Sequence, residues 1–126
     1  LMPSILSAML SNLPVKCSHG RQQRDFIHAD DVASALAHLA TSDVASGAYN
    51  LSSGSSSRIR DVVRVCQEVT GSSSEIVYGA VPVARDEPKQ ILGVNSKLLG
   101  TGWEPEWTMR RGVSDYVEHL VSDARS

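Results

Sequence analysis

The chain has 126 residues, of which 41% are hydrophobic and 21% charged, enough for one globular domain spanning residues 1–126 but not for a large two-domain enzyme. Its formal charge of −2 argues against nucleic acid as a bulk electrostatic partner, and no apolar run approaches the ~18 residues of a membrane span. Two cysteines, Cys17 and Cys66, are too few for a disulfide framework and lie among apolar neighbours, the pattern of reduced thiols in a cytoplasmic protein.

The chain opens on Leu1-Met2, and Pro3 suits the first turn of a helix whose stripe is Leu6, Met9, Leu10 and Leu13. With no room for an N-cap ahead of Pro3, it reads as beginning inside something larger or at an unusual start codon. Pro14 stops the helix near Asn12. Residues 15–17 are a short apolar-leaning run, and Ser18-His19-Gly20 suits a reversal of direction. Residues 25–28 alternate as a short strand. Asp30 or Asp31 then offers an N-cap for a helix that buries Val32, Ala35, Leu36 and Leu39 and fades near Thr41.

Residues 48–51 are the next strand expected, ending in the serine-rich run 52–57. That run is too short for a linker and leads into a helix capped by Ser57, striped by Ile59, Val62, Val63, Cys66 and Val69, and closed by Gly71. Residues 75–78 form another strand candidate, residues 81–89 an irregular stretch, and residues 90–93 a segment with pairing potential. One or two helical turns follow over residues 95–99, and Thr108 caps a last helix with Met109, Val113, Tyr116, Val117, Leu120 and Val121 inside. Helices and short strands alternate, so the fold class is α/β with four to five helices.

Chemistry is sparse. The histidines at 19, 28, 38 and 119 lie at no metal-ligand spacing, and a zinc site needs three or four converging ligands. No serine sits in a strand–elbow–helix context, and Cys66 falls on a buried helix face, which suppresses its thiolate. Asp30 and Asp31 are adjacent, so they do not face each other on a helix, and capping accounts for both. Trp103 and Trp107 flank Pro105 and read as packing residues near a turn. Arg21 and Arg24, before the strand over residues 25–28, and Arg85 in the irregular stretch have the planar fork that grips phosphate bidentately.

The segment GRQQRDFIHADDVASAL, residues 20–36, resembles the G-x-x-x-RDFIHVDDVAxAL block of the extended short-chain dehydrogenase/reductase superfamily, the NAD-dependent nucleotide-sugar epimerases, dehydratases and reductases. GAYNLSSG (47–54), EIVYG (75–79) and LLGTGWEP (98–105) are similar to later blocks of the same family, in the same order. Even the opening LMP resembles the start of a family helix, so the resemblance covers essentially the whole chain.

That resemblance implies the C-terminal, substrate-binding region of such an enzyme. The family's N-terminal Rossmann half carries a GxxGxxG turn for the dinucleotide and a Tyr-xxx-Lys pair for proton transfer. Neither occurs here: four residues after Tyr49, Tyr78 and Tyr116 stand Ser53, Pro82 and Leu120. The family uses NAD or NADP, yet no cofactor is expected on this chain and no catalytic activity of it alone.

The family's Arg in RDFIH contacts the substrate diphosphate, which assigns that role to Arg24. A second phosphate-contacting Arg matches Arg85, with Asp86 or Glu87 near a ribose-contacting carboxylate. The strand before the Arg block contacts the base, which points at Val15, Lys16 and Cys17. KCSHG replaces the family's more usual YGDG there, leaving the nucleotide open, and Val94 replaces an acid. The expected partners are a nucleotide sugar, a separate Rossmann half and a second copy of the chain. The last is expected because an unpaired strand edge and bare apolar faces favour self-association, above all through the opening helix. The alternative is a non-enzymatic module for oligomerisation or partner binding, built on the same fold.

Overall fold

The computed structural model describes residues 1–125. Helix α1 spans Met2–Leu10, with Pro3 in its first turn, where its missing N–H costs nothing. It ends two residues earlier than its stripe suggests. Asn12, at a left-handed φ of 52°, closes it by presenting its own amide to the Met9 carbonyl and the Leu13 amide to that of Ala8. Strand β1 is Val15–Lys16 and β2 is Gln23–Asp25; α2 covers Ala29–Thr41, β3 Ser56–Arg58 and α3 Ile59–Thr70. Then come β4 at Ile76–Val77, β5 at Gln90–Ile91, α4 at Ser96–Leu99 and α5 at Met109–Arg125. Five helices with short strands is the α/β composition expected.

Strands β1 and β4 run parallel as one pair, and β2 is the centre of a second sheet, antiparallel to β3 and parallel to β5. The main core lies among α1, α3 and α5. Ile5, Leu6 and Met9 of α1 meet Val62, Val63 and Cys66 of α3, and Val113 of α5 closes the cluster. Leu6 and Met9 of the expected stripe are buried within the chain, whereas Leu10 and Leu13 remain exposed. A smaller core gathers Ala35, Leu98 and Trp103.

Five further expectations shift. The strand at residues 25–28 lies earlier, over Gln23–Asp25: Phe26 and Ile27 have the stronger β-propensity, but pairing decides, and β3 and β5 reach only as far as Asp25. The N-cap of α2 is His28, not Asp30 or Asp31; its Nδ1 accepts the Asp30 amide at 3.0 Å, while Asp31 is buried and accepts the Glu106 and Trp107 amides at 2.9 and 3.1 Å. Leu36, assigned to the buried face of α2, is exposed, because only the Ala35 side of that helix meets the small core.

At α3, Ser57 is not the cap. It pairs with Arg24 inside β3, and the first helical amides, Ile59 and Arg60, donate instead to the carbonyls of Gln22 and Gly20. Gly20 holds a φ of +71°, and a Cβ there would stand 2.6 Å from the Arg60 side chain, so this close approach needs glycine. Residues 48–51 form no strand. Among the described residues no backbone ladder lies beside them, and they are pinned by side chains: Lys97 donates to the Ala48 carbonyl at 2.8 Å, and Asn50 to that of Val94 at 3.1 Å. Thr108 does cap α5, accepting the Arg111 amide at 3.2 Å, and Gly71 ends α3 at a φ of 64°.

Candidate functional site: an anchored arginine and two concavities

Pairing on both edges fixes the backbone of β2, and alternation along the strand turns Arg24 to the opposite face from Gln23 and Asp25. The Asp25 carboxylate gathers the loops on its side. It accepts the Ser53 amide and hydroxyl at 3.0 and 2.6 Å, the Gly54 amide at 3.1 Å and the Gly93 amide at 3.2 Å. On the other side, Arg24 Nη1 donates to the carbonyls of Gln23 and Pro88 at 2.7 and 3.0 Å, and Nη2 meets Glu87 Oε1 at 2.7 Å. Three acceptors thus occupy three of the five guanidinium N–H groups and fix its plane. Both partners of the ion pair are half-buried, where solvent screens the charges less than at an open surface.

The structure joins Arg24 and Glu87 directly, so the carboxylate matched to a ribose contact also neutralises the arginine. Arg85 is exposed. Val15 and Cys17 are buried in the main core and line neither concavity; Lys16 between them points outward. Burial pushes the Cys17 thiol up, and Cys66 up to about 11, so neither is a ready nucleophile. No group of three His, Cys, Asp or Glu residues among the described ones could hold a metal ion, and no described helix is long and apolar enough to cross a membrane.

Two concavities flank this frame. One, of about 820 Å³, runs from the 19–23 turn past the start of α3 to the Glu87–Gln90 loop, and Arg21, Arg58, Arg60 and Lys89 line it with Glu87. The other, of about 870 Å³, lies between the 26–30 segment and α5. At its wall His28 stacks on Trp107 with centroids 3.7 Å apart, and Arg111 covers a Trp107 face at 3.9 Å. Because His28 Nδ1 accepts an amide proton, its own hydrogen sits on Nε2 and is donated to Asp115 Oδ2 at 3.1 Å. The ring is thereby a structural tie between α2 and α5. Sequence reasoning passed over Arg58, Arg60, Lys89 and the His28–Asp115 tie, which join residues distant in sequence; only the Arg58-x-Arg60 spacing at the head of a helix hinted at the first pair.

The family model described as "NAD dependent epimerase/dehydratase family" matches residues 1–52. A CDP-abequose synthase of Salmonella muenchen is 33% identical over 115 residues, covering 90% of this chain and 39% of the relative. A GDP-6-deoxy-D-mannose reductase of Pseudomonas aeruginosa is 31% identical, covering 81% of this chain and 34% of the relative. Among solved structures, the UDP-N-acetylglucosamine 4-epimerase of Methanobrevibacter ruminantium superposes with a TM-score of 0.87 at 24% identity, covering 98% of this chain and 39% of that one, which shows the shared fold. The chain spans about two-fifths or less of the relatives it matches. In sequence and in fold, this chain is a part of the NAD-dependent nucleotide-sugar epimerase/dehydratase family.

Proposed function

We propose that this chain is the C-terminal, nucleotide-sugar-binding region of an epimerase or dehydratase, with Arg24 as the residue that holds the substrate's diphosphate. The observation that carries this reading is the guanidinium fixed on the central strand of its sheet: three internal acceptors set its plane, and two N–H groups remain for phosphate oxygens. Glu87 then has a second part to play. While it holds Arg24 it offsets the cation, so an incoming diphosphate must compete with that carboxylate.

The reading places hydride transfer on residues outside these 126. A dinucleotide pyrophosphate is held where a glycine-rich turn follows a strand and opens a helix. Gly100-Thr101-Gly102 instead trails the end of α4, so it does not fit that role, and no tyrosine has a lysine four residues on. What these residues can do is bind and orient. The exposed Ile91, Leu92 and Val94 fit the expectation that a further polypeptide, a Rossmann half or a second copy, covers that edge.

Titration calorimetry with CDP-, GDP-, UDP- and dTDP-sugars tests the reading. Binding of at least one should be weakened about tenfold or more by Arg24→Ala, since a hydrogen bond to a charged group is worth about 1.5–3 kcal/mol. Glu87→Gln should tighten it by removing the competing carboxylate. Neutral behaviour towards all four would favour a non-enzymatic module.

A further inference from the structure

We infer that His28 is a proton-controlled catch: the neutral ring fastens the first turn of α2 to α5, and a second proton on the ring unfastens α2. The neutral ring is bonded at both nitrogens, with Nδ1 accepting the Asp30 amide at 3.0 Å and Nε2 donating to Asp115 Oδ2 at 3.1 Å. Packing leaves it little room to turn towards other partners. Its plane lies 4° from that of Trp107 at a centroid separation of 3.7 Å, and α5 backs onto it so closely that a Cβ on Gly112 would stand 3.3 Å from His28 Cδ2. An imidazolium has two donors and no acceptor, so the added proton on Nδ1 confronts the Asp30 N–H and the cap is lost. On the other side, the same charge turns the Asp115 contact into a charge-assisted hydrogen bond. Protonation therefore moves the ring's hold from both helices to α5 alone.

The charges around the ring come from both helices. On α2, the helix N-terminus repels an added proton, while Asp30 and Asp31 in its first turn attract it. On α5, Asp115 attracts it, whereas His119, 3.7 Å from the same carboxylate, and Arg111, across Trp107, oppose it. The cavity beside the ring adds no charged side chain to Asp30, Asp115 and His119. Release travels one step further through Asp31, which is buried and holds the Glu106 and Trp107 amides; a frayed first turn loosens that grip on the loop ahead of α5. Strand β2 keeps its own ladders, so Arg24 and Asp25 stay in place. The other histidines lack this arrangement. His38 donates to the Thr101 carbonyl at 2.9 Å, and its Nδ1 faces the Ser42 hydroxyl at 3.3 Å, which can accept as well as donate, so a proton there breaks nothing. His19 accepts the Arg21 amide but closes only its own exposed turn, and His119 Nδ1 faces a carbonyl.

Nuclear magnetic resonance of the whole chain tests this from about pH 8 to about pH 5, a span that covers an ordinary imidazole and stays above ordinary carboxylates. No ligand is needed, so the outcome stands apart from that of the nucleotide-sugar titrations. At the upper end, a nitrogen–nitrogen coupling across the hydrogen bond should join His28 Nδ1 to the Asp30 amide, with the ring hydrogen on Nε2. That coupling should vanish as the ring takes its second proton. In the same step the protection of the Asp30 amide against exchange, relative to an unstructured chain, should fall about three- to thirtyfold, the range of a lost N-cap. The Glu106 and Trp107 amides should shift with it, while residues 23–25 and 62–66 stay unmoved. His28→Asn caps without titrating, so it should abolish the step, and His119→Gln should leave it in place. No coupling at the upper end, or a coupling that survives protonation of the ring, overturns the catch. So does a step at residues 30, 106 and 107 that persists in His28→Asn, or one in which residues 62–66 lose protection as well, which is global acid unfolding.

Discussion

The helical half and the looped half of this molecule are held by different physics. In the first, α1, α3 and α5 exchange apolar stripes, and Leu6, Val62, Val63 and Cys66 are wholly buried. In the second, not one residue from 81 to 94 is buried, and the loops stand where a few polar pins put them: Asp25 on Ser53, Gly54 and Gly93, Arg24 on Glu87 and Pro88, Asn95 on the Ser52 carbonyl. Non-directional packing tolerates small displacements, whereas a carboxylate with four donors fixes positions sharply and fails sharply. Arg24 and Glu87 lie in the pinned half, where placement matters more than stability, whereas Val15 and Cys17 sit in the helical core.

The contrast breaks most visibly at the core. Leu6→Ala should cost about 2–5 kcal/mol in denaturant unfolding, because a cavity opens among residues that cannot collapse around it. Asp25→Ala should cost less globally, about 1–3 kcal/mol for the stranded donors. Its sharper signature is faster amide exchange confined to residues 53–54 and 93, with α3 still protected. If both substitutions loosened the whole chain equally, the division would be wrong.

Smaller effects sharpen the same line. Burial pushes the Cys66 thiol up to about 11, so native protein should react slowly with thiol reagents at neutral pH and quickly once unfolded. On the surface, a backbone hydrogen bond and the charge of Asp115 raise His119 above its ordinary 6.5. A pKa raised by folding adds stability below 6.5 that is lost as the pH climbs through the folded value. His119→Gln should flatten that part of the pH–melting curve. As the ring is fully exposed, this is the smallest of the expected changes.

Legibility in the sequence follows the same division. Period-3.6 stripes announce helices that bury one face, so α3 and α5 stood out with their Gly71 and Thr108 ends. Segments set by distant partners did not. Nothing local to residues 48–51 shows that no strand lies beside them, and nothing near Phe26 shows that β2 stops at Asp25. His28 displaced two aspartates as a cap because its other nitrogen is tied to Asp115, 87 residues away. Of the candidate residues, Arg24 is singled out by the family resemblance, but its pairing with Glu87 and the exposure of Arg85 are facts of the loop's path.

The most direct test of the central claim is the side-chain nitrogen resonance of Arg24 during titration with a CDP- or UDP-sugar. The account predicts that its Nε–H signal shifts at saturation together with the amides of residues 23–25 and 87. Saturable binding that leaves the Arg24 signal unmoved would contradict it.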